Sequence, residues 1–459
     1  MRPVMTEYIV FGRVRSYVKA IKCKRYKMIW NETKECMQRG DLEELQGKRL
    51  HKQVDRIYHN VEFYRKKMQE AGVEPGDIRT VEDVAKLPFT TYEDLKNNYP
   101  YGLLAVPRSE IVRVQASSGT TGKPKVLCYT RRDIEIWSEC VSRAMAMAGV
   151  TRDDVIQVGY GYGLFTGGLG AHYGAENLGA TVIPMSTGNT KKLIDMMIDC
   201  EVTAIACTPS YLLHVAEALE EQGLIDKIKL KYAICGAEPW TDAMRDQMEK
   251  RLHIKAYDIY GLTEIMGPGV ACDCRFHKGL HIYEDHFLPE IIDPDTLEPK
   301  PHGELGELCI TTLTKEGMPL LRYRTRDLTS LEYDTCECGR TMARIQRFRG
   351  RSDDMLVIRG VNVFPSQVEH ALLTVAGTTP NYFITVDRIN NNDTFDVAIE
   401  VEERFFSDEI RKLEKLRSDV EEAIHQTVGI KAKVKLVEPN ALPHSEGKTK
   451  HVEDRRKLS

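Results

Sequence analysis

"TAIACTPSYLLHVAEALEEQGLIDKIKLKYAICGA", residues 203–237, decides the fold. It opens on a short apolar run (203–207), passes through a stretch with helical spacing (212–222), and returns to a second apolar run (231–237). Runs that are apolar throughout, without alternation, suit strands buried on both faces. Two such strands joined by a helix lie parallel, because the crossover returns the chain to the starting edge of the sheet. The pattern extends upstream. "VIQVGY" (155–160) and "ATVIPM" (180–185) read as strands and 193–200 as a helix. The expectation is an α/β fold: a large N-terminal domain of layered α/β architecture with mainly parallel sheets, binding its ligands at the carboxyl ends of the strands.

Beyond residue 353 the texture changes. "DVAIEVE" (396–402) alternates Val397, Ile399 and Val401 inward, and "KAKVKLVE" (431–438) alternates Ala432, Val434 and Leu436 with lysines. Between them Ile410, Leu413, Leu416, Val420 and Ile424 form one helical stripe that closes near Gly429. This predicts a small mobile C-terminal α+β domain, with the boundary at "GRSDDM" (350–355) and domains spanning 28–352 and 353–459. Residues 31–71 read as helical, carrying Leu42, Leu45, Leu50, Val54, Ile57 and Val61. Residues 1–27 hold Arg2, Arg13, Arg15, Lys19, Lys22, Lys24, Arg25 and Lys27 against the single acid Glu7. Either this is a basic amphipathic arm, or it precedes a start at Met28. The second reading is preferred, because nothing later in the chain calls for a basic arm.

The 459 residues carry 64 Lys+Arg against 68 Asp+Glu, a net charge of −4, so no global field recruits nucleic acid or an anionic membrane. No apolar run reaches the roughly 18 residues of a membrane span. Twelve cysteines without a secretory signal point to a reducing cytoplasm. The expected partner is a small molecule.

"SSGTTGKPK" (117–125) has the composition of a phosphate-holding loop: Gly119 and Gly122 for close backbone approach, hydroxyls on Ser117, Ser118, Thr120 and Thr121, and charge on Lys123 and Lys125. It is not a Walker loop. Its glycines are separated by two threonines, and Pro124 follows the first lysine. Alone, such a turn fits a hairpin equally well. Three further stretches follow in order: "YDIYGLTEI" (257–265), "RYRTRDL" (322–328) and "LPHSEGKTK" (442–450). Together they resemble the adenylate-forming superfamily of acyl-CoA synthetases and ligases, and most closely its phenylacetate–CoA ligase family. "YGYGLFTGGLGAHYGAE" (160–176), "GAEPWT" (236–241), "GPGVA" (267–271), "EDHFLPEIIDP" (284–294) and "RGVNVFPSQVE" (359–369) strengthen the resemblance, which covers the chain from about Met28.

The resemblance implies an ATP-dependent ligase that joins an aryl carboxylic acid, phenylacetate first among candidates, to coenzyme A through an acyl-adenylate, releasing AMP and pyrophosphate. It implies that the loop at 117–123 steadies the departing phosphates and that Lys448 bridges the acyl carboxylate and the α-phosphate. Thr263 would contact the α-phosphate and Glu264 would hold Mg²⁺. Asp327, helped by Arg351, would accept the ribose hydroxyls. Adenine would lie near Asp258, Tyr260 and Gly261, on the turn Gly236, Ala237, Glu238 and Pro239. Tyr160, Phe165 and Gly236 would wall the acyl slot, the glycine leaving room for a flat ring. Asp353 matches the hinge, and Gly360, Val361 and Asn362 the coenzyme A side. A homodimer is expected by the same analogy. An enzyme that loads a carrier protein is the first alternative. A non-catalytic nucleotide sensor is the second, disfavoured because Lys448 and Glu264 are both present.

Cys272, Cys274, His277 and His281 cluster, and Cys336 and Cys338 form a second pair. Six soft or borderline donors suit tetrahedral zinc, although Cys-x-Cys is not the usual knuckle spacing. Cys274, His281, Cys336 and Cys338 are the expected ligands of a structural Zn²⁺, with Cys272 and His277 as substitutes. The competing reading is a set of reduced surface thiols.

Overall fold

The computed structural model describes residues 28–116, 125–352, 356–359, 361–389, 392–401, 410–439, 441–442 and 451–456. The basic stretch 1–27, the loop residues Ser117, Ser118, Gly119, Thr120, Thr121, Gly122 and Lys123, and Asp353, Gly360 and Lys448 lie outside the described residues.

A hairpin leads, β1 (Ile111–Ala116) antiparallel to β2 (Val126–Thr130). Then β3 (Val155–Val158), β4 (Thr181–Ile183), β5 (Ala204–Cys207), β6 (Tyr232–Gly236) and β7 (Lys255–Tyr260) form a parallel block. A helix returns the chain at each step: Thr166–Leu178, Thr190–Asp199, Pro209–Glu221 and Asp242–Leu252. Local chemistry starts them. The Thr208 hydroxyl accepts from Tyr211 N with Pro209 opening the helix, and Thr241 accepts from Met244 N. Every residue of β5 is buried, as its unbroken apolar run requires, whereas β4 at the sheet edge is not.

The parallel expectation holds for these five strands and stops there. β8 (Ala271–Asp273) and β9 (Leu280–Ile282) continue the sheet antiparallel. β10 (Phe287–Ile292), β11 (Gly306–Thr312) and β12 (Tyr323–Thr329) start a separate antiparallel sheet. β13 (Leu331–Glu332) and β14 (Arg344–Ile345) return to the large sheet, and β15 (Gly350–Arg351) completes the smaller one. The nine-stranded order is β13-β14-β9-β8-β7-β6-β5-β3-β4. In the large sheet the antiparallel strands β8, β9, β13 and β14 have only two or three residues, too few to show a period in the sequence.

The N-terminal helices are bolted onto the antiparallel half. Leu42, Leu50, Val54 and Ile57 of the helix Arg39–Asn60 are buried. Arg39 pairs with Glu284 at 2.7 Å and Glu35 with Arg340 at 2.6 Å. Arg340 Nη2 also donates to the Met28 carbonyl at 2.6 Å.

The C-terminal part builds its own core. β16 (Leu356–Ile358) and β17 (Val361–Val363) form a hairpin. β18 (Thr378–Ile389), β19 (Asn392–Val401), β20 (Lys433–Val437) and β21 (Val452–Asp454) form a mixed sheet, order β20-β19-β18-β21. Val397, Ile399 and Val401 pack with Leu416, Val420 and Ile424 of the helix Ile410–Val428, as their spacing predicts. Gly429, at φ +86°, supplies the left-handed residue that ends this helix.

Candidate active site

A cleft of about 3540 Å³ opens at the carboxyl ends of β6 and β7, lined by Tyr160, Tyr260, Glu264 and Asp327 on one side and Glu369 and Tyr382 of the C-terminal part on the other. Single drug-sized sites run to about 300–1,000 Å³. The cleft is several times that size.

The turn after β7 carries Thr263 and Glu264. A Cβ on Gly261 would meet Gly267 Cα at 2.7 Å, so only glycine lets these two loops close on each other. Thr263 and Glu264 are buried beneath the cleft. The Glu264 carboxylate accepts from Lys125 Nζ and, at 3.2 Å, from the Tyr323 hydroxyl. Burial pushes its pKa up, but the Lys125 charge and hydrogen bond outweigh that and hold it below the usual glutamate value. The group is an ionised oxygen donor, the kind a hard cation takes.

Asp327 sits on β12 opposite Arg351 on β15. Tyr260 donates to its Oδ2 at 2.6 Å and Arg351 Nη1 to its Oδ1 at 3.3 Å. The Tyr260 ring lies 4.6 Å from that of Phe348, tilted by 34°. Phe348 completes an aromatic wall that no sequence motif marks.

On the adjacent turn, Ala237 adopts φ +73°, a conformation that a non-glycine residue rarely takes. Glu238 accepts from Ser210 N at 2.7 Å, and burial raises its pKa. Asp258 is pushed up to about 7, first by burial and then by the neighbouring Asp273. Asp273 itself is held by Arg245 at 2.7 Å and His277 at 2.8 Å.

Gly236 lines the cleft. A Cβ there would lie 2.2 Å from the Ile259 carbonyl oxygen, so the glycine also lets β6 approach β7. Tyr160 is buried at the floor and Phe165, 37% exposed, stands at the lip, its carbonyl accepting from Gln115 Nε2 at 3.2 Å. The Tyr162 hydroxyl meets His172 Nδ1 at 3.2 Å, and His172 Nε2 meets Glu176 at 3.1 Å.

Residues 38–314 match the AMP-binding enzyme family, and residues 360–456 match the AMP-binding enzyme C-terminal domain. The chain belongs to the AMP-binding enzyme family. Phenylacetate–coenzyme A ligase of Thermus thermophilus is 47% identical over 94% of this chain and 100% of its own length. The Pseudomonas putida and Escherichia coli phenylacetate–coenzyme A ligases are 49% and 48% identical, each over 91% of this chain and over 95% and 96% of their own lengths. A solved 2-hydroxyisobutyryl-CoA ligase, in the postadenylation state with R3-HIB-AMP, matches with a TM-score of 0.87 at 27% identity, covering 93% of this chain and 92% of that one. The same ligase in the thioesterification state, with 2-HIB-AMP and CoA, gives 0.69 at 28% identity, covering 94% and 93%. Identity and coverage barely differ, so the gap reflects arrangement. This AMP-binding enzyme is arranged more like the postadenylation state.

Away from the cleft, the enzyme brings together Cys274, His281, Cys336 and Cys338, all buried, with their ligand atoms within 4.8 Å of one another. Cys274 Sγ lies 3.8 Å from Cys336 Sγ, and Cys338 Sγ lies 3.5 Å from His281 Nε2. Cys272 points instead to backbone carbonyls and His277 to Asp273, so neither joins the group. Burial also excludes the surface-thiol reading. Arg340, anchored by Glu35, forms the turn that presents the Cys336 and Cys338 pair, through Cys336 N to the Arg340 carbonyl at 3.1 Å.

Besides Phe348, sequence reasoning missed two residues of this AMP-binding enzyme. Tyr129 Oη donates to the Thr263 carbonyl at 3.1 Å, and Lys315 Nζ donates to the carbonyls of Glu264 at 3.0 Å and Ile265 at 2.9 Å. In "TLTKEGM" the lysine reads as one more solvated cation.

Proposed function

We propose that this chain is an ATP-dependent aryl-acid–coenzyme A ligase that takes phenylacetate, forms phenylacetyl-adenylate with release of pyrophosphate, and passes the acyl group to the thiol of coenzyme A with release of AMP. The observation that carries this reading is 47% identity extending over the whole length of a phenylacetate–coenzyme A ligase.

Joining a carboxylate to a phosphate brings two anions together, so the work is alignment and neutralisation of charge. Asp327, already oriented by Tyr260 and Arg351, would accept the ribose hydroxyls. Glu264 would hold Mg²⁺, which neutralises phosphate charge when bound. Lys125 occupies the same carboxylate and would give way to the cation. Thr263, Lys448 and the loop from Ser117 to Lys123 would grip the phosphates and the acyl carboxylate. Adenine would rest between the Gly236 to Pro239 turn and Tyr260, with Asp258 and Gly261 beside it. Tyr160 and Phe165 would flank the ring of the acid. Rotation about Asp353 would exchange Lys448 for the side carrying Gly360, Val361 and Asn362, and admit coenzyme A.

The buried Cys274, His281, Cys336 and Cys338 quartet fits a structural Zn²⁺, since soft donors converge there. A homodimer in the cytoplasm completes the proposal. None of the described cysteines forms a disulfide, as a reducing compartment allows, and no described helix is long and apolar enough to cross a membrane.

Exchange of labelled pyrophosphate into ATP, screened over aryl acids, tests the first step. Phenylacetate should give the highest rate. Exchange independent of any aryl acid would reject the proposal.

A further inference from the structure

Lys315 is a cation at 1% exposure with no carboxylate in ion-pair range among the described residues. An ammonium has three donors. Two go to the carbonyls of Glu264 and Ile265, at 3.0 and 2.9 Å, and the ammonium lies 4.7 Å from the centre of the Tyr129 ring. Tyr129 takes the preceding carbonyl, that of Thr263, at 3.1 Å. Three consecutive carbonyls are thus held from below by two side chains, one from β2 and one from the stretch between β11 and β12.

Lys315 is itself braced. Gln53 donates to its carbonyl, and the next two backbone amides, Glu316 N and Gly317 N, donate to the buried Asp133 at 2.6 and 2.9 Å. Burying this charge is unfavourable even with Asp133 and Glu264 near enough to attract it, and a turn that needed only a donor would be served by a neutral one. The turn in question is the one that carries Thr263 and Glu264.

We propose that Lys315 is a positioning residue for the adenylation step: it fixes the backbone of the Thr263–Glu264 turn so that the hydroxyl and the carboxylate are set for the metal–nucleotide before it arrives. This rests on the ATP-dependent ligase reading. The carbonyls at 263, 264 and 265 cannot rotate without breaking a hydrogen bond, two of which carry the ammonium charge. Each residue's side chain is thereby fixed by its own peptide planes. Losing Lys315 would leave two buried carbonyls without a donor, and the turn would sample other orientations at the expense of metal–nucleotide affinity.

The test uses the full-length protein with Mn²⁺ as a spin-visible stand-in for Mg²⁺. Binding of Mn²⁺·ATP is followed by electron paramagnetic resonance, alongside steady-state kinetics and thermal unfolding. Lys315→Met should weaken Mn²⁺·ATP binding by about tenfold or more, the scale of one charge-assisted hydrogen bond. KM for Mg²⁺·ATP should rise in step while KM for the aryl acid stays near wild type. A folded Lys315→Met protein that binds Mn²⁺·ATP within about twofold of wild type would overturn the inference, whatever its melting temperature. Should that variant not fold, Lys315→Gln, which keeps one amide donor, takes its place: a several-fold loss supports the proposal and an unchanged affinity overturns it. Wild-type protein that fails to bind Mn²⁺·ATP would sink the ligase reading instead.

Discussion

The Tyr260 hydroxyl donates to Asp327 Oδ2 at 2.6 Å, joining the last residue of β7 to the middle of β12. With Arg351 on Oδ1, both oxygens of the carboxylate are fixed before a ligand binds. Tyr260→Phe removes the shortest of these described hydrogen bonds without emptying the aromatic wall shared with Phe348. We expect the ATP dissociation constant to rise by about tenfold, near 1.4 kcal/mol, with the acid KM unchanged. Calorimetric titration with ATP checks this, and an unaltered affinity would show that Asp327 needs no anchoring by Tyr260.

Lys448, whose charge is assigned to the adenylation step, separates the two half-reactions. Lys448→Ala should slow pyrophosphate exchange by about 10²- to 10³-fold, while conversion of supplied phenylacetyl-adenylate to thioester persists. Equal losses in both assays would remove Lys448 from its proposed role.

The parallel half of the large sheet was legible because strands buried on both faces must be apolar throughout, and 203–207 and 231–237 are. The Cys274, His281, Cys336 and Cys338 quartet was legible because donor chemistry survives without geometry. What was not legible depends on direction. That the missing Cβ of Gly236 faces the Ile259 carbonyl follows from the register of β6 on β7. Lys315 was missed because burial, not residue type, makes it unusual. Phe348 meets Tyr260 only through the pairing that brings the β12–β15 sheet beneath β7.

Removing metal should cost stability before activity. Purified protein should hold about one zinc per chain, and replacing Cys336 and Cys338 together by serine should lower the melting temperature more than it lowers kcat. Elemental analysis that finds no zinc in gently purified protein would end this assignment.

Asp258 gives the pH dependence a sign. Its folded pKa of about 7 lies above the ordinary carboxylate value of 3.8, so the folded state holds the proton more tightly than the unfolded one. Its stabilising effect is complete below the ordinary value and is lost as pH rises through about 7. Asp258→Asn mimics the protonated form. The variant's advantage in melting temperature should therefore grow from pH 5 to pH 7 and then level off. An advantage that stays constant over this range would contradict the raised pKa.

The central claim is tested most directly by incubating the full chain with ATP, Mg²⁺, phenylacetate and free coenzyme A and quantifying every product by mass spectrometry. The account predicts phenylacetyl-coenzyme A, AMP and pyrophosphate in equal amounts, with none formed when phenylacetate is left out. Phenylacetate-dependent pyrophosphate release without the coenzyme A thioester, whether the acyl group stays as adenylate or moves only to a carrier protein, would contradict it.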